Sequence, residues 1–168
     1  MRMLKTLIAL TVACGLLLAS AGSAQADPLS ASFKGKQTRN DPPCPGGALF
    51  CGAGSVAGYG AATFSVFPTS IGAPDADGCL AVTALTTIDL TDGSGSLTLS
   101  AAGEVCFPGK SGSAPGQLRA FGNPFSIAAT YEVIDGTGVF AGASGDGTAT
   151  LRGAGAQTKL GISGELDL

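Results

Sequence analysis

Histidine and tryptophan are absent from this 168-residue chain, charged side chains make up 12% of it and aromatic ones 6%. Without histidine, neither Ser-His-Asp nor Cys-His catalysis can be assembled, and histidine-ligated metal sites are excluded. Basic side chains are scarce: nine Lys and Arg stand against twelve Asp and Glu. Arg2 and Lys5 belong to a removable leader, so the remaining chain carries a net charge of about −5. Such a chain offers nucleic acid no basic footprint. After Leu18 no apolar run approaches the ~18 residues that a membrane span requires. Helical periodicity is almost nowhere to be found. Glycine is abundant instead, at 27 residues, more than double ordinary usage.

Met1 to Lys5 are short and basic, Leu7 to Leu18 are apolar, and Ala24-Gln25-Ala26 precedes Asp27. These are the three regions of a secretory signal, cleaved after Ala26, with Ala19-Ser20-Ala21 as a second site. Cys14 does not make this a lipoprotein leader, because Thr11 stands where an aliphatic residue is usual and the apolar run before the cysteine is short. Residues 27–168 then form one domain large enough to bury a core. Its destination is secreted, extracellular or periplasmic.

Four cysteines follow the leader: Cys44, Cys51, Cys79 and Cys106. An even number in an exported chain points to two disulfides, with three connectivities to choose from. Zinc is not expected, since C-x-x-C spacing and histidine are both missing. Asp92-Gly93 is the dipeptide favoured in two-residue hairpin turns. If those two residues form the turn, the numbers of facing partners sum to 185, as do 79 and 106. Cys79 and Cys106 then lie directly opposite, at a separation a disulfide can bridge. The same register gathers Leu80, Val82, Ala84, Ile88 and Leu90 on one face, with Thr83, Thr87, Asp89 and Thr91 on the other. A slip of one residue would mix the faces. Cys44–Cys51 follows by elimination.

Alternation of apolar and polar residues recurs along the chain. Leu29, Ala31 and Phe33 share a parity, as do Val56, Ala62, Phe64 and Val66, a run whose alternation Phe67 breaks. Phe125 to Val133, Ala149 to Leu151 and Leu160 to Leu168 repeat the pattern. Seven strands result, or eight if the second breaks at Gly58 or Gly60. Loops fall at Asp41-Pro42-Pro43, Pro68 to Gly78 and Pro108 to Gly122. Each strand has one apolar face, which an antiparallel all-β architecture buries by closing into a barrel or by folding into a β-sandwich.

Several familiar motifs fail on inspection. Gly136-Thr137-Gly138-Val139-Phe140-Ala141 fits G-x-G-x-x-A, but Gly142 to Gly147 cannot open the helix that a dinucleotide site needs. Gly109-Lys110-Ser111 lacks the earlier glycine of a phosphate loop, because position 104 is Glu104. Asp75-Ala76-Asp77-Gly78 lacks the glutamate that closes a calcium loop, Thr86 standing in its place, and reads as a turn.

The segment Gly136-Thr137-Gly138-Val139-Phe140-Ala141-Gly142-Ala143-Ser144-Gly145 resembles the G-T-G-x-F-x-x-A-x-G signature of the allene oxide cyclase and dirigent barrel superfamily, in particular its small secreted bacterial members. Those members also carry an Asp-Gly-Ser hairpin turn flanked by cysteines, as here between Cys79 and Cys106. The resemblance spans roughly Cys79 to Leu168. It implies an eight-stranded antiparallel barrel with an apolar cavity, trimeric in plant members, whose enzymes cyclise an unstable epoxide or steer radical coupling. Their catalytic residues do not transfer, because the likeness does not extend residue by residue beyond the shared turn. Within the motif, Gly136, Gly138 and Gly145 suit close backbone approach or positive φ, and Phe140 suits the interior.

If the apolar faces point inward, the cavity candidates are Phe64, Val82, Leu99 and Ile127, with Thr86 and Tyr131 as polar exceptions. Tyr131 is then the polar contact for a guest, or bonds Thr86 or a carbonyl. Lys34, Glu104, Glu132, Arg152, Lys159 and Glu165 all take the outer parity, so no acid or base is expected inside. Only Asp75, Asp77, Arg119 and Asp135 could reach a mouth. Three functions are open: binding of a small apolar ligand, a structural or interaction role with a filled barrel, and isomerisation by positioning alone. No cofactor or metal is expected.

Overall fold

The alternating pattern folds as a closed barrel, not a sandwich. The computed structural model describes residues 26–37, 43–106 and 124–168. Its strands are β1 (Asp27–Gln37), β2 (Phe50–Val56), β3 (Gly60–Pro74), β4 (Leu80–Leu90), β5 (Gly95–Cys106), β6 (Phe125–Gly138), β7 (Asp146–Ala154) and β8 (Gln157–Leu166). Each pairs antiparallel with the next, and β1 pairs with β8 to close the ring. Closure leaves no free sheet edge. Among the described residues no helix is long and apolar enough to cross a membrane. Residues 1–25 of the expected leader lie outside the described residues, as do Asp41 and Pro42 and the whole of the expected Pro108–Gly122 loop with Lys110 and Arg119.

The long second run does break, at the turn between Val56 and Gly60, where Gly58 and Gly60 both take positive φ. The β4–β5 hairpin has the expected register throughout, from Leu80 opposite Val105 to Asp89 opposite Ser96. Its turn differs from the expected two-residue form. Gly93 has φ 76° but Asp92 does not take positive φ, and the Gly93 amide donates to the Leu90 carbonyl at 3.0 Å. The Asp92 carboxylate accepts from the Ser94 amide and hydroxyl, at 2.9 and 2.6 Å. The loop thus widens symmetrically about the same centre, which is why the register survives. Cys79–Cys106 and Cys44–Cys51 are both bonded, with Cα separations of 4.4 and 5.6 Å.

Three register shifts interrupt the ladders, two of them in the stretch from Pro68 to Pro74, which was expected to be loop but extends β3, and the third between β5 and β6. Between Pro68 and Ser70 the β3–β4 register shifts by one, so that Ile71 rather than Ser70 follows the inner series. On β6, Thr98 faces Asp135 while Leu99 faces Val133, which leaves Ile134 unpaired and 53% exposed. One extra residue in a strand flips every later side chain to the other face. Gly136 and Gly138, the last residues of β6, therefore fall opposite Leu97 and Gly95 on the inner series.

Among the described residues the interior rings pair as Phe33 with Phe64, Phe50 with Phe125, and Tyr59 with Phe140. Phe140 is fully buried at the end that carries the β2–β3, β4–β5 and β6–β7 turns. A side chain at Gly138 would strike the Ser94 carbonyl oxygen, and one at Gly136 the Phe140 carbonyl oxygen. The motif is a backbone clasp that seats this ring. Phe67, the residue that breaks the alternation, points outward and covers Cys44, Ala48 and Cys51 in a small satellite core. Outside the barrel, Lys34 faces Lys159, which faces Arg152, making one row of exposed cations across β1, β8 and β7.

Candidate apolar cavity

The inner face is not filled evenly. At the end where β3 runs out and β4 begins lies a cavity of about 70 Å³. Its room comes from small side chains on adjoining strands. Gly103, Ala129 and Ala149 face one another in register across β5, β6 and β7, and Ala84 faces Ala101 across β4 and β5. Phe50, Val66 and Thr86 also line it, and the exposed Ile71 and Thr83 bring it to the surface. Among the described residues no lining side chain carries a charge. Both disulfides lie at this end, one beside the start of β4 and the end of β5, the other beside β2.

Of the six cavity residues expected from the sequence, Thr86, Val82 and Ile127 line this space together. Phe64 and Leu99, each 1% exposed, belong to the filled half. Tyr131 is 2% exposed and turned away from the cavity, its hydroxyl against the backbone of Gly147 and Gly164. That hydroxyl has no hydrogen-bond partner, so the expected bond to Thr86 or to a carbonyl is not formed. The ring takes this direction because Gly147, beside Tyr131 in register, and Gly164, paired with Gly147, leave a notch without side chains. Burial raises the Tyr131 phenol above its ordinary value, and the Asp146 carboxylate adds to the effect.

The outer parity holds for Lys34, Glu104, Glu132, Arg152, Lys159 and Glu165, all exposed. Asp135 lies on β6 near the end that Phe140 closes, far along the strand from the cavity, and cannot serve its mouth. Asp75 stands at the cavity end, but its carboxylate accepts from the Asp77 and Cys79 amides, both at 2.9 Å, and so holds the β3–β4 turn. Sequence reasoning missed Phe50 and Ile71, together with Leu49, Pro68, which was expected in a loop, and Thr83, which was expected on the other face. Phe50 would have followed from starting β2 one residue before Cys51, whereas the bulge that turns Ile71 inward leaves no trace in the pattern.

Fold and site together define a closed eight-stranded antiparallel barrel with a cavity at one end whose described lining is uncharged. No protein-family model, no curated protein and no solved structure matches this chain.

Proposed function

We propose that this chain is an exported barrel of the allene oxide cyclase and dirigent kind that takes a small apolar group into the cavity at its β3–β4 end. The observation that carries the reading is an interior space with no charged lining, formed where Gly103, Ala129 and Ala149 replace larger side chains. Small-molecule sites are concave and mostly apolar with few polar groups. The leader and the two disulfides support export, and the likeness over Cys79 to Leu168 is compatible with a trimer.

The volume limits the guest. About 70 Å³ is roughly half of the ~150 Å³ apolar cavity that takes up benzene. A slender aliphatic chain that enters end-on and leaves its far end at the open mouth by Ile71 suits this space better than a ring that must be enclosed whole. Catalysis there would have to act by positioning, since no lining side chain titrates in the physiological range. The small volume also favours a second reading, a structural barrel whose interior is for the most part filled.

Methyl NMR of the mature protein under xenon and with dissolved n-pentane distinguishes the two. Shifts confined to methyls of the lining, Ile71, Val82 and Ile127 among them, with Leu29 and Leu166 unmoved, are expected for a binding barrel. No shift up to saturation with either probe would leave the structural reading in place.

A further inference from the structure

We infer that the cavity selects a neutral guest with one hydrogen-bonding oxygen, which enters oxygen first and is held by the Thr86 hydroxyl. The inference rests on the cavity being a binding site. Among the described lining residues Thr83 and Thr86 carry a hydroxyl, and no other lining side chain is polar. The Thr83 hydroxyl is taken, lying 2.7 Å from that of Thr69 on the outer side of the β3–β4 pair. Thr86 is different. It is 6% exposed, and no hydrogen bond holds its hydroxyl among the described residues. Nor is it one of the sealed, unpartnered oxygens, which are those of Tyr131 and Thr158. Its hydroxyl therefore faces the cavity.

Position along β4 supplies the direction of entry. Val82, Ala84 and Thr86 line the space in turn, while the next inner residue, Ile88, is fully buried and does not. Thr86 is thus the innermost lining residue of its strand, beside Val66 on β3, and Ile71 stands at the mouth. A guest reaching Thr86 with its oxygen leaves its hydrocarbon among Val82, Ala84 and Ile127. Valine would fill the position of Thr86 with the same shape and no unpaired hydroxyl, so threonine suits a guest that supplies the missing partner. A carboxylate or an ammonium group is excluded by the same lining, since no charge could pair with it once dry.

The test is a titration followed by the Val82 and Ile127 methyl signals. n-Pentane, 2-pentanone and pentanoate are added to the mature wild-type chain, to Thr86→Val and to Thr86→Ser. Melting temperatures of both variants first establish that the barrel is intact. The expected result is that 2-pentanone binds wild type and Thr86→Ser about 2- to 10-fold more tightly than Thr86→Val, the range of one net hydrogen bond. n-Pentane should bind Thr86→Val at least as well as wild type, and pentanoate should bind none of the three. If all forms bind n-pentane but 2-pentanone gains nothing from the hydroxyl, this inference is overturned and the binding reading stands. If no probe binds any form, both are overturned together.

Discussion

Tyr131→Phe should make the protein more stable, the reverse of what losing a polar contact usually does. In most cores a tyrosine hydroxyl has a partner, and its removal leaves a donor or acceptor stranded. Here the Tyr131 hydroxyl is buried and unpartnered, lying against Gly147 and Gly164. Burial of a hydroxyl without a hydrogen bond costs ~1–3 kcal/mol in mutational data. The substitution removes that cost and gives up only the packing of one oxygen, worth a few tenths of a kcal/mol. A net gain of about 0.5–2 kcal/mol is expected, or a rise in Tm of about 2–8 °C for a domain of this size. With no tryptophan in the chain, far-UV circular dichroism or calorimetry is the suitable readout, with both disulfides kept intact. The pH dependence gives a second signature. The folded phenol titrates above its ordinary 10.0 because of burial first and Asp146 second. The unfolded chain loses its proton first, so stability holds below the ordinary value and falls as pH rises through the raised one. Tyr131→Phe should lose less stability over that alkaline window than wild type. A variant less stable than wild type by 1 kcal/mol or more at neutral pH would refute the reasoning, because the hydroxyl would then have a partner in solution, such as a buried water.

Phe140→Ala should cost about 3–5 kcal/mol by emptying the closed barrel end, and Gly138→Val should be comparably harmful, with denaturant unfolding as the measure. Wild-type curves for both would mean that the glycine-phenylalanine clasp is dispensable to the fold. Cys79→Ala opens the larger covalent loop, with a sequence separation of 27 against 7 for Cys44–Cys51. Loss of about 3–4 kcal/mol is expected there against about 2–3 for Cys44→Ala, and thiol labelling should find Cys106 reactive. Lys159→Glu turns the row of three cations into alternating charges and should stabilise by about 0.2–1 kcal/mol at low salt, with the gain shrinking as salt rises. Equal stability at every ionic strength would show that the row carries no repulsion.

The hairpin register was legible in the chain because three local signals agree there: the Asp-Gly turn, the alternation of Leu80 to Leu90, and the spacing of Cys79 and Cys106. It held although the turn is wider than expected, since a symmetrical widening leaves facing partners unchanged. Strand faces were legible for the same reason. Side chains alternate with a period of two, so polar Lys34, Glu104 and Glu165 declare the outside wherever the period runs unbroken.

Bulges lie beyond that kind of reading. The extra residues beside Ser70 and at Ile134 are defined by what the neighbouring strand does, and they turn Ile71 inward and set the motif glycines Gly136 and Gly138 on the inner series of β6. Tertiary pairing also decided the cavity. Gly103, Ala129 and Ala149 are unremarkable along the chain and become an opening when three strands set them side by side. The notch of Gly147 and Gly164 took Tyr131 away from that opening and left Thr86 as its polar group. An acidic chain with scattered lysines likewise gained a cationic row once β1, β8 and β7 were in register. Local alternation sets which face a residue takes, whereas contacts between distant strands set which residues share a place on that face.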